Sequence, residues 1–388
     1  MKVKFALFGY FLVIVSLFLY SFTQIDLGLT LTRLSIWQEA QRFFQHIGYF
    51  DRPLSSQLYV GILILLFAFY FLFLHFAKKN LISKKQLWTV VIATATLLTF
   101  SYNAFSHDLF NYIFDAKIVT YYNQNPYLHK ALDYAGEPML AFMHWTHRTY
   151  PYGPTWLGLT VPLSFVGSEV FLLTFFMFKA LLAASYVGTA YFIGKILGKM
   201  SPRRELLGMV FFALNPLVII ESLVSSHNDI VMLFLAVWAF YLYLNNKYIR
   251  ALLLLILSIG VKFATVFMLP VLLYGLIAKK SKSIPWEKLT LSVSLFMASA
   301  IVVVSLRTNF QPWYLLYVLP FAALIPNKYL ISIPVVVMSL ASLLMYFPYL
   351  YTGNWDPPIP THLFWITSTG IIVSVILVLS IRFKNLLK

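Results

Sequence analysis

Long apolar runs recur from one end of the chain to the other, and no other feature restricts the fold as much. Hydrocarbon offers no partner to a bare peptide N–H or C=O, so a chain that enters it repeatedly must satisfy its backbone internally. Runs near the ~20 residues that a straight helix needs to cross a bilayer point to α-helices. The 388 residues are 60% hydrophobic and 11% charged, whereas a soluble domain is about half apolar and a quarter charged. The pattern predicts an all-α polytopic membrane protein, a single transmembrane domain over 1–388. Spans are expected at 5–21, 57–77, 87–103, 169–194, 206–224, 229–245, 251–260, 263–278, 288–306, 313–326, 329–349 and 363–381, about 11–13 helices in all. Outer loops 22–56 and 102–153 are expected to carry interfacial helices. The first run lacks a small-residue cleavage site and reads as an uncleaved span. Residues 154–167 are short, carry two prolines and read as re-entrant or interfacial.

Charge orders these spans. With a cytoplasmic N-terminus, the inner segments 1–4, 78–86, 195–205, 246–250, 279–288, 327–328 and 382–388 hold 20 of the 29 Lys and Arg. The outer loops hold nine of the 13 acids: Asp26, Glu39, Asp51, Asp108, Asp115, Asp133, Glu137, Asp229 and Asp356. The positive-inside rule then places both termini in the cytoplasm of a multi-pass cell-membrane protein. The net charge of +16 reads as inner-loop anchoring to anionic lipid rather than nucleic-acid binding. One continuous span over 251–278 would put Lys279, Lys280 and Lys282 outside, so a hairpin with Lys262 at its outer tip is expected. The chain has no cysteine, which excludes disulfide and thiolate chemistry.

Against this background residues 106–127, SHDLFNYIFDAKIVTYYNQNPY, are unusual. Asp108, Asn111, Tyr112 and Asp115 recur at i, i+3, i+4 and i+7, a polar stripe on a helix after the third span. Phe110, Ile113, Phe114 and Ile118 form the opposite face, which suits a helix lying at the outer membrane surface. Ser106 is placed to cap it. Asp108 either complements the helix dipole or acts as a general base, since a helix N-terminus favours the ionised carboxylate. Asp115 is a second functional carboxylate or a plain surface charge.

Further along, Glu221 lies inside an apolar run, and an intramembrane carboxylate points to function by default. His227, Asn228 and Asp229 follow where that run emerges. They read either as the cap of a helix hairpin or as a base, an amide and an imidazole beside Asp108. His227, Asp229 and Asp108 are metal-ligand types, but their spacing is no recognised ligand signature. Lys262 and Arg307 either snorkel to the interface or face the same carboxylates. Tyr152 lies in the proline- and aromatic-rich stretch TYPYGPTW, and Trp313 and Tyr314 follow Gln311-Pro312.

No glycine-rich phosphate loop is present, so no nucleotide site is indicated. A transferase working outside the cytoplasm must draw its activated donor from the membrane, and a polyprenyl-phosphate sugar meets that demand. A carboxylate takes the acceptor's proton, Lys or Arg stabilises the leaving phosphate, and aromatics stack on sugar rings. The rival reading is a lipid or glycolipid flippase, which repeats and midplane polar sites would favour.

Four blocks over about residues 90–325 carry a resemblance. They are Asp108-x-x-x-Tyr112 leading to Asn125-Pro126-Tyr127; Pro151-Tyr152-Gly153-Pro154; Asn215-Pro216-Leu217 leading to His227-Asn228-Asp229; and Lys262 with Pro270, followed by Pro312-Trp313-Tyr314 and Pro320. The chain resembles GT-C-fold glycosyltransferases that use polyprenyl-phosphate sugars, closest to polyprenol-phosphate-mannose-dependent α-1,6-mannosyltransferases. The resemblance implies an inverting hexosyltransferase, mannose its sugar, acting on a glycan or glycolipid acceptor. It implies Asp108 as base and a cavity lined by His227, Asn228 and Asp229. Tyr112, Asp115, Tyr152, Glu221, Trp313 and Tyr314 are expected to bind substrate beside them. Lys262 and Arg307 are the expected phosphate ligands. No cofactor, metal or nucleic acid is expected. Asn123 replaces a family glycine before the Asn-Pro-Tyr turn; Asn tolerates the left-handed backbone better than most residues. Asp26 stands just after the first span, where many GT-C enzymes keep their catalytic aspartate. It lacks the polar stripe, and Asp108 is preferred.

Overall fold

The computed structural model describes residues 2–279 and 285–386; Lys280 and Lys282, which entered the topology argument, lie outside the described residues. The helices in chain order are α1 (Lys2–Ser21), α2 (Ser35–Gln45), α3 (Arg52–Lys78), α4 (Lys84–Thr99), α5 (Asp108–Thr120), α6 (Pro154–Val166), α7 (Phe171–Met200), α8 (Glu205–Ala213) and α9 (Pro216–Ile219). They continue as α10 (Asp229–Leu244), α11 (Tyr248–Ile259), α12 (Leu269–Lys279), α13 (Trp286–Thr308), α14 (Leu319–Leu324), α15 (Tyr329–Leu344), α16 (Tyr346–Thr352) and α17 (Ile359–Leu386). Among the described residues the β-structure amounts to one isolated bridge, Lys130–Thr149. The protein is a polytopic all-α membrane protein.

Among the described residues six helical segments are long and apolar enough to cross a membrane, or seven if the pair Pro202–Ala213 and Pro216–Val224, bent by 54°, counts as one. The remaining expected spans are short or broken. Pro216 starts α9 without an amide to lose, and the Asn215 side chain accepts the Leu217 N–H at 2.9 Å. The segment ends in a π-turn at Ile220–Val224, and Ser226 turns the chain with a left-handed φ of 62°. The expected hairpin at 251–278 breaks at Gly260–Lys262, and a 3₁₀ turn, Phe263–Met268, precedes α12. A second 3₁₀ turn, Pro312–Tyr317, precedes α14. Irregular backbone at membrane depth is tolerated where protein surrounds it or where it lines a cavity.

Charges separate to the two ends of this bundle. Lys84 pairs with Glu205 at 2.5 Å, Arg204 with Glu287 at 2.6 Å and Lys328 with Glu287 at 3.6 Å. All belong to segments that the charge pattern assigns to one side. Asp26 follows the opposite end of α1, where the Tyr102 hydroxyl and the His107 ring meet it. In α2, Gln41 and Gln45 turn inward and donate to the backbone carbonyls of Leu29, Ile25 and Asp26. Ile36 and Phe43 stay exposed on its other side, the polarity of a helix whose outer face meets lipid.

The surface-helix expectation for α5 needs correction. The helix forms where the periodicity puts it, and its apolar face is buried, but it does not lie open at the surface. Phe110 is covered by Phe142 and Phe175, Tyr112 by Trp156 and Tyr152, and Phe114 by Tyr134. Periodicity marks which side of a helix is polar but not what folds back over it. Here the loop after α5, together with α6 and α7, does so. Asn123 has the anticipated left-handed φ, 55°. Asn125 accepts the Tyr127 amide at 3.0 Å, and the Tyr127 hydroxyl donates to the Tyr152 carbonyl at 3.2 Å. The loop is thereby tied to the Pro-Tyr-Gly-Pro stretch.

That stretch docks directly on the second break. The Gly153 and Thr155 amides donate to the Val261 and Gly260 carbonyls at 3.3 and 2.8 Å. A Cβ on Gly153 would stand 2.3 Å from the Gly260 carbonyl oxygen, so only glycine permits this approach. Gly158, in the same helix, would meet nothing within 4 Å. Gly153→Ala should therefore lower stability by about 1–3 kcal/mol. Thermal unfolding in detergent should show a lower midpoint for Gly153→Ala and none of that loss for Gly158→Ala.

Candidate active site

The breaks and the N-terminus of α5 converge on one polar cluster. Ser106 Oγ accepts the Asp108 amide at 3.2 Å and so caps the start of α5. Asp108 then projects its carboxylate toward the turn before α10. Oδ1 accepts the Trp145 indole N–H at 3.1 Å, and Oδ2 accepts the Tyr112 hydroxyl at 3.4 Å. His227 Nδ1 lies 3.5 Å from Asp108 Oδ2, and Nε2 lies 3.3 Å from Glu221 Oε2. The imidazole is fully buried between two carboxylates and stacks on Trp313, ring centres 4.1 Å apart. Glu221, also fully buried, accepts the Tyr346 hydroxyl at 2.9 Å.

Electrostatics follow from this arrangement. Burial opposes the charged form of His227, but Asp108 and Glu221 outweigh it and push its pKa up to about 9. Burial would likewise raise Asp108; His227, Lys262 and the Trp145 N–H outweigh it and hold the carboxyl below its ordinary value. Asp115, two turns on, has no such neighbour. Burial, with a smaller contribution from the Asp108 charge, pushes it up to about 8. One stripe thus carries an ionised carboxylate at its start and a protonated one at its end near neutral pH.

Beside this group, Lys262 donates to both oxygens of buried Asp229 at 2.9 Å. The Lys262 ammonium lies 6.0 Å from the centre of the Tyr314 ring, whose hydroxyl meets Thr308 Oγ1 at 2.7 Å. Asn228 is fully buried, and neither its amide oxygen nor its nitrogen has a partner among the described residues. A buried amide normally finds its bonds, so this one is available to a ligand. Tyr152 packs edge-on against Tyr112 at 5.2 Å. Asp108, Tyr112, Tyr152, Glu221, His227, Asn228, Asp229, Lys262, Trp313 and Tyr314 thus join one neighbourhood. Arg307 does not close onto it; it is exposed in the last turn of α13, with no ion pair to a described residue.

Sequence reasoning missed Trp145 and Tyr346, which hold Asp108 and Glu221. Each is an aromatic residue among many, and nothing in its spacing marks it. The structure does not gather His227, Asp229 and Asp108 as metal ligands, because Asp229 is engaged by Lys262. A different set does lie close: Asp26, His107 and His144 place one ligand atom each within 4.8 Å of one another.

A buried imidazole, charge-compensated carboxylates, an unpartnered amide and aromatic walls suit transfer chemistry on a polyhydroxylated substrate. Residues 10–278 match the family described as alpha-(1->6)-mannopyranosyltransferase, N-terminal domain. No curated protein and no solved structure matches the chain. The family match covers well over half of the sequence and spans α5, the π-turn and Lys262. The chain therefore belongs to the alpha-(1->6)-mannopyranosyltransferase family and is a membrane glycosyltransferase that takes a sugar donor and a glycan acceptor.

Proposed function

We propose that the enzyme transfers a mannosyl unit from a polyprenyl-phosphate donor to a glycan or glycolipid acceptor on the extracytoplasmic face, with inversion. The observation that carries this reading is the Asp108–His227–Glu221 group beside the Asp229–Lys262 pair, at the opposite end of the bundle from the Lys84–Glu205 and Arg204–Glu287 pairs. The inner-loop basic excess assigns that opposite end, with both termini, to the cytoplasm. The whole chain acts as one transmembrane domain. Family membership supports the transferase over the flippase as the primary activity.

In the proposed step the acceptor hydroxyl attacks the anomeric carbon and gives its proton to Asp108. The bond between that carbon and the phosphate oxygen breaks, and the lipid phosphate leaves with the electron pair. Asp108 is held ionised, ready to accept, and takes the proton late, as oxocarbenium character develops. Lys262 offers the leaving phosphate the hydrogen that Asp229 does not use, while Arg307, exposed in the last turn of α13, stays outside the step. Asn228 bonds sugar hydroxyls, while Tyr112, Tyr152, Trp313 and Tyr314 provide ring faces. Glu221 holds the His227 cation in place, and Asp115 lines the cavity in its protonated form. Asp26, held by Tyr102 and His107, is the alternative base; Asp108 is preferred for its place beside His227 and the Asp229–Lys262 pair.

Asp108→Asn should lower transfer from polyprenyl-phosphate mannose by at least ~10²-fold, with an unchanged elution profile in detergent. Wild-type turnover in that variant would refute the base assignment. Liposome assays supply a second check: wild type should form glycolipid product, and lipid scrambling without product would count against the reaction.

The buried His227 cation also predicts a pH dependence. Its folded pKa of about 9 lies above the ordinary 6.5. Its contribution to stability is therefore complete below about pH 6.5 and is lost as pH rises through about 9. The detergent unfolding midpoint should fall across that window in wild type. Glu221→Gln removes one of the two anions, so the window should move down. An unshifted window in Glu221→Gln would show that Glu221 does not hold the proton.

A further inference from the structure

Beyond the transfer site, one group of side chains has no role in the proposed step. Asp26 follows α1, His107 sits immediately before α5, and His144 lies in the loop between α5 and α6. His107 Nε2 is 3.1 Å from Asp26 Oδ1, and the His107 and His144 rings lie face to face, centres 3.6 Å apart and planes within 12°. One ligand atom from each of the three falls within 4.8 Å of the others.

We propose that Asp26, His107 and His144 bind a single first-row transition-metal dication of the Zn²⁺ class. Two imidazoles and one carboxylate suit such an ion, whereas Ca²⁺ and Mg²⁺ take oxygen ligands. Tetrahedral ligands ~2 Å from an ion stand ~3.3 Å apart, close to the His107–Asp26 separation. Rotation of the exposed His144 ring brings the third ligand in.

The surroundings of Asp26 are those of a held ligand. Buried Tyr102 donates its hydroxyl to Asp26 Oδ2 at 2.6 Å, leaving Oδ1 on the histidine side. Gln45 donates to the Asp26 carbonyl at 3.1 Å. Groups that orient a ligand from behind are characteristic of metal sites. Three protein ligands, one of them exposed, leave a coordination position open to water.

The site's place gives it a role. His107 precedes Asp108, and His144 precedes Trp145, whose indole bonds Asp108 Oδ1. An ion held by both histidines ties the start of α5 to the loop that covers it and positions the base and its hydrogen-bond donor together. These are positioning residues that touch no substrate.

The test uses tag-free, full-length protein in detergent, stripped of metal by chelation and titrated with Zn²⁺ alone or Co²⁺ alone. Wild type and His129→Ala, which alters a histidine outside the group, should each bind one Zn²⁺ per chain. His144→Ala and His107→Ala should lose that stoichiometric binding, and Tyr102→Phe should weaken it by about tenfold. Co²⁺ should give the visible bands of a four-coordinate nitrogen–oxygen site in wild type but in neither histidine variant. Absence of binding by wild type, or wild-type affinity in either histidine variant, overturns the assignment. Metal content is read without the transfer assay. Asp108→Asn, inactive in transfer, should still bind Zn²⁺, so failure of the metal site and failure of the transfer reading are told apart.

Discussion

A charge taken into the interior of a membrane protein has to be compensated on the spot, and the Asp108–His227–Glu221 group is where this protein meets that demand most severely. His227 and Glu221 are fully buried, and either one alone would bear the desolvation cost of an unpaired ion. An imidazole between two carboxylates is held protonated by both, and it holds Asp108 ionised in turn. Removing any member leaves the others uncompensated. The interruptions of the helices follow from the same need. Glu221 sits in a π-turn, Asp229 opens α10 after a left-handed residue, and Lys262 lies between α11 and a 3₁₀ turn. Regular helices would carry these side chains at fixed angular steps; the breaks bring them to one place.

Backbone docking supports the cluster from behind. The Gly260 carbonyl ends α11 and also receives amides from the start of α6, so the Pro-Tyr-Gly-Pro stretch and the Lys262 turn are set relative to each other by hydrogen bonds. Tyr152 and Lys262 inherit their positions from that junction. Bonds between Tyr127 and Tyr152 extend it to the loop over α5. Asp108 is thereby linked, through backbone geometry, to a lysine 154 positions away in the chain.

Much of this was legible in the sequence because the signals are local. Apolar runs disclose helices in lipid, charge asymmetry separates the ends of the bundle, and an i, i+3, i+4, i+7 stripe places Asp108 and Asp115 on one helix. Asn123 was readable because it stands where the resembled family has glycine and because Asn tolerates positive φ. What escaped depends on contacts distant in sequence. Trp145 bonds Asp108 across 37 residues and Tyr346 bonds Glu221 across 125, and a single aromatic residue in an aromatic-rich chain carries no mark of such a partner. The burial of α5 was hidden for the same reason. Arg307 illustrates the converse error: its position at a span end suggested convergence, yet a long exposed side chain is free to point elsewhere. Asp26, His107 and His144 could not be grouped, since no short spacing joins them.

The charge of the cluster is matched to the reaction proposed for it. Asp108, Glu221 and Asp229 face two cations, His227 and Lys262, with Asp115 protonated. A polyprenyl-phosphate sugar is a phosphodiester and carries one negative charge; the departing lipid phosphate carries a second. In the proposed step that added charge appears at the end of the cluster where Lys262 lies. The acceptor proton reaches Asp108 at the same time and removes one negative charge there. The sum over cluster and substrate stays constant while charge moves from the carboxylate to the phosphate. In a site of low dielectric, a step that conserves total charge avoids the large solvation change that net charging would demand. A lysine already paired with Asp229 is then sufficient at the phosphate end, because it has to stabilise a charge that Asp108 has given up.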